Sequence, residues 1–173
     1  GKAAHVMRQK GCEGATTIVL AMGSVLGTLK DTVDELRDEG MPVGGVGLTS
    51  FRPFPMAAVR GALKGAERVI VLERAFAVGV GGIVSDNVHM ALAGLTQRYN
   101  TVIAGLGGRP VMRASLRAML AAAAADRLES LTFLDLDREL VDRELARVRA
   151  HPRSGPAAEN ILRDLRVVAS RPG

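Results

Sequence analysis

The chain has 173 residues, 47% hydrophobic and 24% charged, with a net charge of +5, a composition that fits one compact soluble domain with room for a tail. Aromatic residues make up only 3% against 20 glycines, so the core has to be aliphatic, and a nucleic-acid binder, which wants clustered Lys/Arg and stacking aromatics, is excluded. No apolar run reaches the ~18–20 residues of a membrane span, and a single cysteine, Cys12, leaves no internal disulfide, Cys-rich zinc site or iron–sulfur cluster held by this chain alone.

The lone cysteine makes a cytoplasmic location the expectation. The first residue is Gly1 rather than Met, as in a piece cut from a longer chain, and no signal-peptide order follows it.

Along the chain, Thr17 to Met22 is a β-branched, apolar run closed by Gly23-Ser24, which predicts a strand buried on both faces. Leu26, Leu29, Val33 and Leu36 then recur at helical spacing, up to Gly40 as the cap and Pro42 as the stop. Val43 to Phe51 is a second, glycine-rich strand ending in Arg52-Pro53-Phe54-Pro55. A short helix follows on Met56, Val59 and Leu63, and Arg68 to Glu73 is the third strand. The glycine loop Gly79-Val80-Gly81-Gly82 opens a third helix carrying Val84, Val88, Ala91, Leu92 and Leu95. Val102 to Leu106 reads as a fourth strand, closed by Gly107-Gly108-Arg109-Pro110, and Met112, Leu116, Met119 and Leu120 give a fourth helix.

Strands alternating with helices predict an α/β fold: an open, twisted, mostly parallel sheet in three layers, with helices on both faces. Right-handed crossovers are expected to fix most of its winding. The domain is expected to span residues 1–125. A helical tail, 126–173, follows: a charged helix over 126–150 with Leu136, Leu140, Val141, Leu145 and Val148 as its stripe, the linker His151 to Pro156, and a last helix from Ala157 to Val168. One apolar seam per charged helix predicts docking, either on the domain itself or on a partner subunit.

In open α/β sheets ligands bind at the carboxyl ends of the strands, so a site would use the turns at Gly23-Ser24, Arg52-Pro53, Glu73 to Gly82 and Gly105 to Arg109. Gly23 to Gly27 lacks the G-x-G-x-x-G spacing, and no acid ends the second strand, so a dinucleotide site is not expected. Gly79 to Gly82 before a helix either presents N–H groups to an anion or packs closely on its neighbours. Ser24 and Ser85 lie outside any G-x-S-x-G elbow. His5, His89 and His151 are scattered, with no metal-binding spacing. Asp31, Asp34, Glu35, Asp38 and Glu39 sit on a solvated helix face. Glu73 ends a buried strand beside Arg74, and two readings stand: a paired structural carboxylate, or a carboxylate facing a partner's site. No self-sufficient catalytic, cofactor or metal site emerges.

Several segments, in order, resemble the C-terminal domain of the alpha subunit of thiamine-diphosphate-dependent 2-oxoacid:ferredoxin oxidoreductases, the pyruvate:ferredoxin oxidoreductase family. They are Ala21-Met22-Gly23-Ser24, Asp34 to Gly40, Arg52-Pro53-Phe54-Pro55, Val69 to Arg74, the glycine loop with Gly79, Gly81 and Gly82, and Ala104 to Val111 with Gly105, Gly107, Gly108 and Arg109. The Arg-Pro turn is shared with transketolase C-terminal domains; Gly105 to Arg109 separates the two. The resemblance covers about residues 15–120. Pro110 stands where the family often has Asp, which removes a charge and a backbone donor from that turn.

The resemblance implies a transketolase C-terminal-like sheet and a non-catalytic structural or assembly role. It places thiamine diphosphate and Mg²⁺ between other domains and 4Fe–4S clusters on other subunits or domains. The whole enzyme would decarboxylate a 2-oxoacid such as pyruvate, pass two electrons singly to ferredoxin and give the acyl group to coenzyme A, with the protein supplying position and electrostatics. The isolated chain is expected to be inactive. Two other readings are carried forward: the C-terminal domain of a transketolase or 2-oxoacid dehydrogenase beta subunit, and a free-standing anion- or nucleotide-binding module built on Gly79 to Gly82 and nearby arginines.

Overall fold

The computed structural model describes residues 6–150. The linker 151–156 and the last helix expected over 157–168 lie outside the described residues, as do His5 and His151. Six strands, β1 (Met7–Lys10), β2 (Thr17–Met22), β3 (Val43–Leu48), β4 (Arg68–Glu73), β5 (Arg98–Ile103) and β6 (Leu131–Phe133), form one sheet in the order β1-β3-β2-β4-β5-β6. Only β1 is antiparallel, pairing Met7 with Leu48 and Lys10 with Gly45; the other neighbours run parallel.

All six residues of β3 and of β4 are buried, which is why these strands read as unbroken apolar runs. Alternate residues serve opposite faces. Val19, Ala21, Ile70, Leu72 and Val102 meet helices α1 (Val25–Asp38) and α4 (Arg113–Ala124) on one side. Ile18, Leu20, Val46, Val69 and Val71 meet α2 (Met56–Leu63) and α3 (Ile83–Ala91) on the other. The expected three-layer α/β architecture is present. A Cβ at Gly47 of β3 would come within 2.9 Å of the Leu26 side chain, so glycine there lets α1 lie close on the sheet.

The winding departs from expectation at its last step. The crossovers through α1, α2 and α3 share one hand, because the step from β2 to β3 reverses both direction and face relative to the next two. From β5 to β6 the chain steps in the same direction as through α3, yet α4 lies on the α1 face, so this crossover has the opposite hand. The apolar row Leu116, Met119, Leu120 and Ala123 fills the space beside α1. Arg113 pairs with Glu35 and Arg117 with Glu39 at 2.6 and 2.8 Å across the top.

The region after Ala125 also differs from the expected continuous helix. Asp126 (φ 55°) and Asp135 (φ 57°) take left-handed backbone, and between them β6 joins the sheet, with Leu134 N–H donating to Ile103 O at 2.8 Å. Leu128 and Leu134 pack against the α1/α4 core, and Phe133 meets Phe76 edge-on at 5.1 Å. The described residues fall into two compact units, one ending at Asp135 and the other starting at Leu136. In the second unit, helix α5 (Arg138–Ala150) carries Leu140, Val141, Leu145 and Val148 of the expected stripe, all exposed, while Leu136 precedes it. No described helix is long and apolar enough to cross a membrane.

Asp126 closes the amino edge of the sheet, accepting from Arg68 and, at 2.8 Å, from Arg98. The Arg68 hydrogen bond, then the Arg98 charge, lower its pKa below the ordinary carboxylate range. A carboxylate with a lowered folded pKa stabilises fully above its unfolded value and loses that contribution as pH falls through the folded one. Asp126→Asn should therefore unfold at lower urea than wild type at pH 7, with the gap closing as pH falls below the ordinary carboxylate range. A gap that stayed constant into acid would contradict this.

Candidate functional site

The carboxyl ends of β2 to β5 carry the turns where the candidate residues sit. At the first, Gly23 takes φ 86° and hands the chain to Ser24, whose backbone caps α1 while its side chain makes no capping bond. At the second, the Arg52–Pro53 peptide is cis. The Arg52 guanidinium lies 3.8 Å over the Phe51 ring and donates to Phe51 O and to Asn87 Oδ1 at 3.0 and 3.3 Å. Asn87 in turn donates to Ile83 O at 2.7 Å, so this turn is fastened to the first turn of α3. Phe54 meets Phe51 edge-on, with both against the α2/α3 core.

Glu73 is the organising group. It is only 5% exposed. Its Oε2 accepts the Val84 N–H at 2.9 Å, and its Oε1 accepts the Ser85 N–H at 3.0 Å and the Ser85 hydroxyl at 2.5 Å. A helix leaves its first N–H groups without internal partners and its amino end partly positive. Glu73 answers both needs of α3 from the end of a neighbouring strand. Gly82 makes room: a Cβ there would overlap Glu73 Oε1 and lie 2.8 Å from Ser85 Oγ. Tyr99 extends the buried chain by donating its hydroxyl to Ser85 O at 2.6 Å. Burial pushes the Tyr99 pKa well above its ordinary value, helped by the Glu73 charge, so the phenol stays a donor. His89 stacks edge-on against the Tyr99 ring at 5.1 Å.

Glu73 takes its partners from α3 and not from its sequence neighbour Arg74. Successive strand residues point to opposite faces, and Arg74, exposed, donates instead to Gly105 O at 3.2 Å. Gly105, Gly107 and Gly108 all have positive φ, shaping the turn that leads to Arg109, which is exposed. The loop 77–81 is folded on itself: Ala77 and Gly81 exchange N–H···O bonds at 2.8 Å, and Val80 N–H also donates to Ala77 O. Within the loop the Val80 and Gly81 N–H groups are thus engaged by Ala77 O, and just past it those of Val84 and Ser85 are engaged by the chain's own Glu73 carboxylate.

Among these residues the structure brings Glu73 to Gly82 and Arg74 to Gly105, ties Arg52 to Asn87 instead, and leaves Ser24 and Arg109 at the rim. Sequence reasoning missed Asn87 and Tyr99, and weighed Ser85 only as a nucleophile. Ser85 carried a signal, since a hydroxyl three residues past a helix-starting glycine is placed to meet a capping group. Shallow clefts of about 240, 400 and 360 Å³ lie at the opposite, amino edge, the first lined by Thr17, Pro42, Arg68 and Arg98 among others.

Comparison with known proteins turns this geometry into a family. The sequence model of pyruvate:ferredoxin oxidoreductase core domain II matches residues 15–116. The chain belongs to that family. Its relatives include the pyruvate synthase subunit PorA of Methanothermobacter thermautotrophicus, 35% identical over 67% of this chain and 30% of that protein. PorA of Pyrococcus horikoshii is 40% identical over 57% and 26%, and the ketoisovalerate oxidoreductase subunit VorA of the same organism is 37% identical over 56% and 25%. A 2-oxoglutarate:ferredoxin oxidoreductase from Magnetococcus marinus, solved with 2-oxoglutarate, coenzyme A and succinyl-CoA bound, shares the fold at a TM-score of 0.52. Its identity is 23%, over 66% of this chain and 19% of that one. The chain thus spans about a third or less of the relatives it matches.

Core domain II as folded here does not fit the cofactors that the family resemblance implies. An iron–sulfur cluster takes four thiolates, and this chain has one cysteine. Among the described residues no group of three His, Cys, Asp or Glu converges as metal ligands. A diphosphate would need free N–H groups at the amino end of α3, where Glu73 already sits.

Proposed function

We propose that this chain is a non-catalytic assembly domain of a thiamine-diphosphate-dependent 2-oxoacid:ferredoxin oxidoreductase. The whole enzyme would oxidatively decarboxylate a 2-oxoacid such as pyruvate to the acyl-CoA in the cytoplasm and pass the electrons to ferredoxin. Thiamine diphosphate, Mg²⁺ and 4Fe–4S clusters would be held by other domains and subunits. The α5 region and the residues after it would form a tail docking on the domain or on a partner subunit. One observation carries the reading. In a core domain II fold, the carboxyl edge has its buried carboxylate saturated by the domain's own α3, so its polar groups serve loop architecture rather than a reacting molecule.

The test is an assay with 2-oxoacid, coenzyme A and a viologen acceptor, run on the parent complex and on the 173-residue chain side by side. The complex should reduce the viologen and the chain should give no turnover above buffer. Turnover by the chain alone would overturn the reading. An iron–sulfur absorption band in the complex would separate it from a transketolase or 2-oxoacid dehydrogenase.

A further inference from the structure

Among the described α-helices, only α5 has no buried residue. It is 13 residues long and charged at most positions outside its apolar stripe, and isolated helices shorter than about 12–15 residues are marginal in water. Asp137 caps its start, accepting the Leu140 N–H at 2.9 Å, and Glu144 pairs with Arg147 at 3.0 Å. Such exposed contacts do not replace a packed face, so the stripe of Val141, Leu145 and Val148, with Leu140 beside it, needs a cover. The chain beyond α5 supplies one that matches. Ile161, Leu162, Leu165 and Val168 recur at helical spacing within 157–168, a run about 18 Å long as a helix against about 20 Å for α5. The linker between them, 151–156, falls within the roughly 2–8 residues that join antiparallel helices, and Pro156 stands where a first helical turn accepts proline.

We infer that the stripe of α5 is covered by residues 157–168 of this same chain, folded back as the second arm of an antiparallel helical hairpin. Arms of matching length about the linker set Leu145 against Leu162 and Val141 against Leu165, with Val148 meeting Ile161 near the turn. A segment tethered by so short a linker stands at an effective concentration in the millimolar range, which favours it over a second copy of the chain at micromolar concentration. The inference concerns the two stripes within the tail, and depends neither on the assembly role nor on where the tail as a whole docks.

The test uses the full 173-residue chain with Cys12→Ser, so that only introduced thiols react. Helix axes about 8–10 Å apart bring facing Cα atoms to roughly 4–6 Å, within the span of a disulfide. Leu145→Cys/Leu162→Cys should therefore form an intrachain disulfide under mild oxidation, seen as a cross-linked peptide in a non-reduced digest. Ala146→Cys/Arg163→Cys, one position further on and turned by about 100° on each helix, should form it at least about tenfold less. A chain ending at residue 156 should exchange its α5 amide protons at least about tenfold faster than the full chain, since that arm alone is a marginal helix, with exchange in β2 and β4 unchanged. Equal yields from the two cysteine pairs, or α5 exchange unaltered by the truncation, would overturn the inference. An interchain disulfide as the main product of the Leu145→Cys/Leu162→Cys pair would overturn it too, and would make a second copy the occupant.

Discussion

Glu73→Ala should destabilise the domain by about 3 kcal/mol in urea unfolding, because it strands three buried donors at once. The Val84 and Ser85 N–H groups and the Ser85 hydroxyl all point at this carboxylate from 2.5 to 3.0 Å. Each buried donor left without a partner costs about 1–3 kcal/mol, and an N-cap lost from a helix about 0.5–2 kcal/mol. Relief from desolvating a buried charge works the other way and keeps the total near the low end of the sum. Glu73→Gln should lose less, about 1–2 kcal/mol, since one oxygen stays to accept while an amide NH₂ is turned against an N–H donor. Arg74→Ala, removing one exposed bond at 3.2 Å, should change stability by about 0.5 kcal/mol or less. The order Ala, then Gln, then the Arg74 variant is the decisive outcome; a Glu73→Ala effect within the Arg74 range would mean that the carboxylate does not hold α3.

What the sequence showed of this arrangement depended on whether the signal was local. Thr17 to Met22 and Arg68 to Glu73 read as strands because two-sided burial leaves six consecutive residues with almost no polar interruption. Leu29, Val33 and Leu36 announced α1 by spacing, and the structure buries all three. β1 and β6, at four and three residues, are too short for any period to register, and pairing with a distant strand makes them what they are. The run after Ala125 resembled a helix by charge pattern, yet Asp126 leaves the helical region to reach Arg68, 58 residues earlier in the chain. Glu73 was visible as an anomaly, a carboxylate ending a buried strand, but two of its three partners are main-chain groups 11 and 12 residues on, which no side-chain spacing encodes. The glycine loop showed the complementary limit. The N–H groups that meet a carboxylate there are those of Val84 and Ser85, just past the loop, and the carboxylate is the chain's own Glu73.

Arg68→Ala should cost about 2–4 kcal/mol, a large effect for a residue at the first position of a strand. Its side chain is 6% exposed and bridges three elements, donating to Asn100 Oδ1 on β5 at 2.8 Å and to Asp126 after α4. Asn100 spends its own amide on Leu128 O and Glu129 O at 3.1 and 2.9 Å, so this arginine and amide together tie the α4–β6 connection to the amino edge of the sheet. Removing the guanidinium leaves Asn100 Oδ1 buried without a donor. Asp126 suffers less, since it is exposed and keeps Arg98, which is why the expected loss falls below the roughly 3–5 kcal/mol for breaking a fully buried pair. Arg98→Ala removes a partner that is 64% exposed, and should change stability by no more than about 1 kcal/mol. Arg68→Lys should recover only part of the loss, because one ammonium cannot hold both acceptors at the fork's spacing. Amide exchange would localise the damage. β6 joins the sheet only through β5, so the amide protons of Leu131 to Phe133 should lose protection first, ahead of those in β2 and β4. Uniform loss of protection across the sheet would instead make Arg68 a support of the whole core.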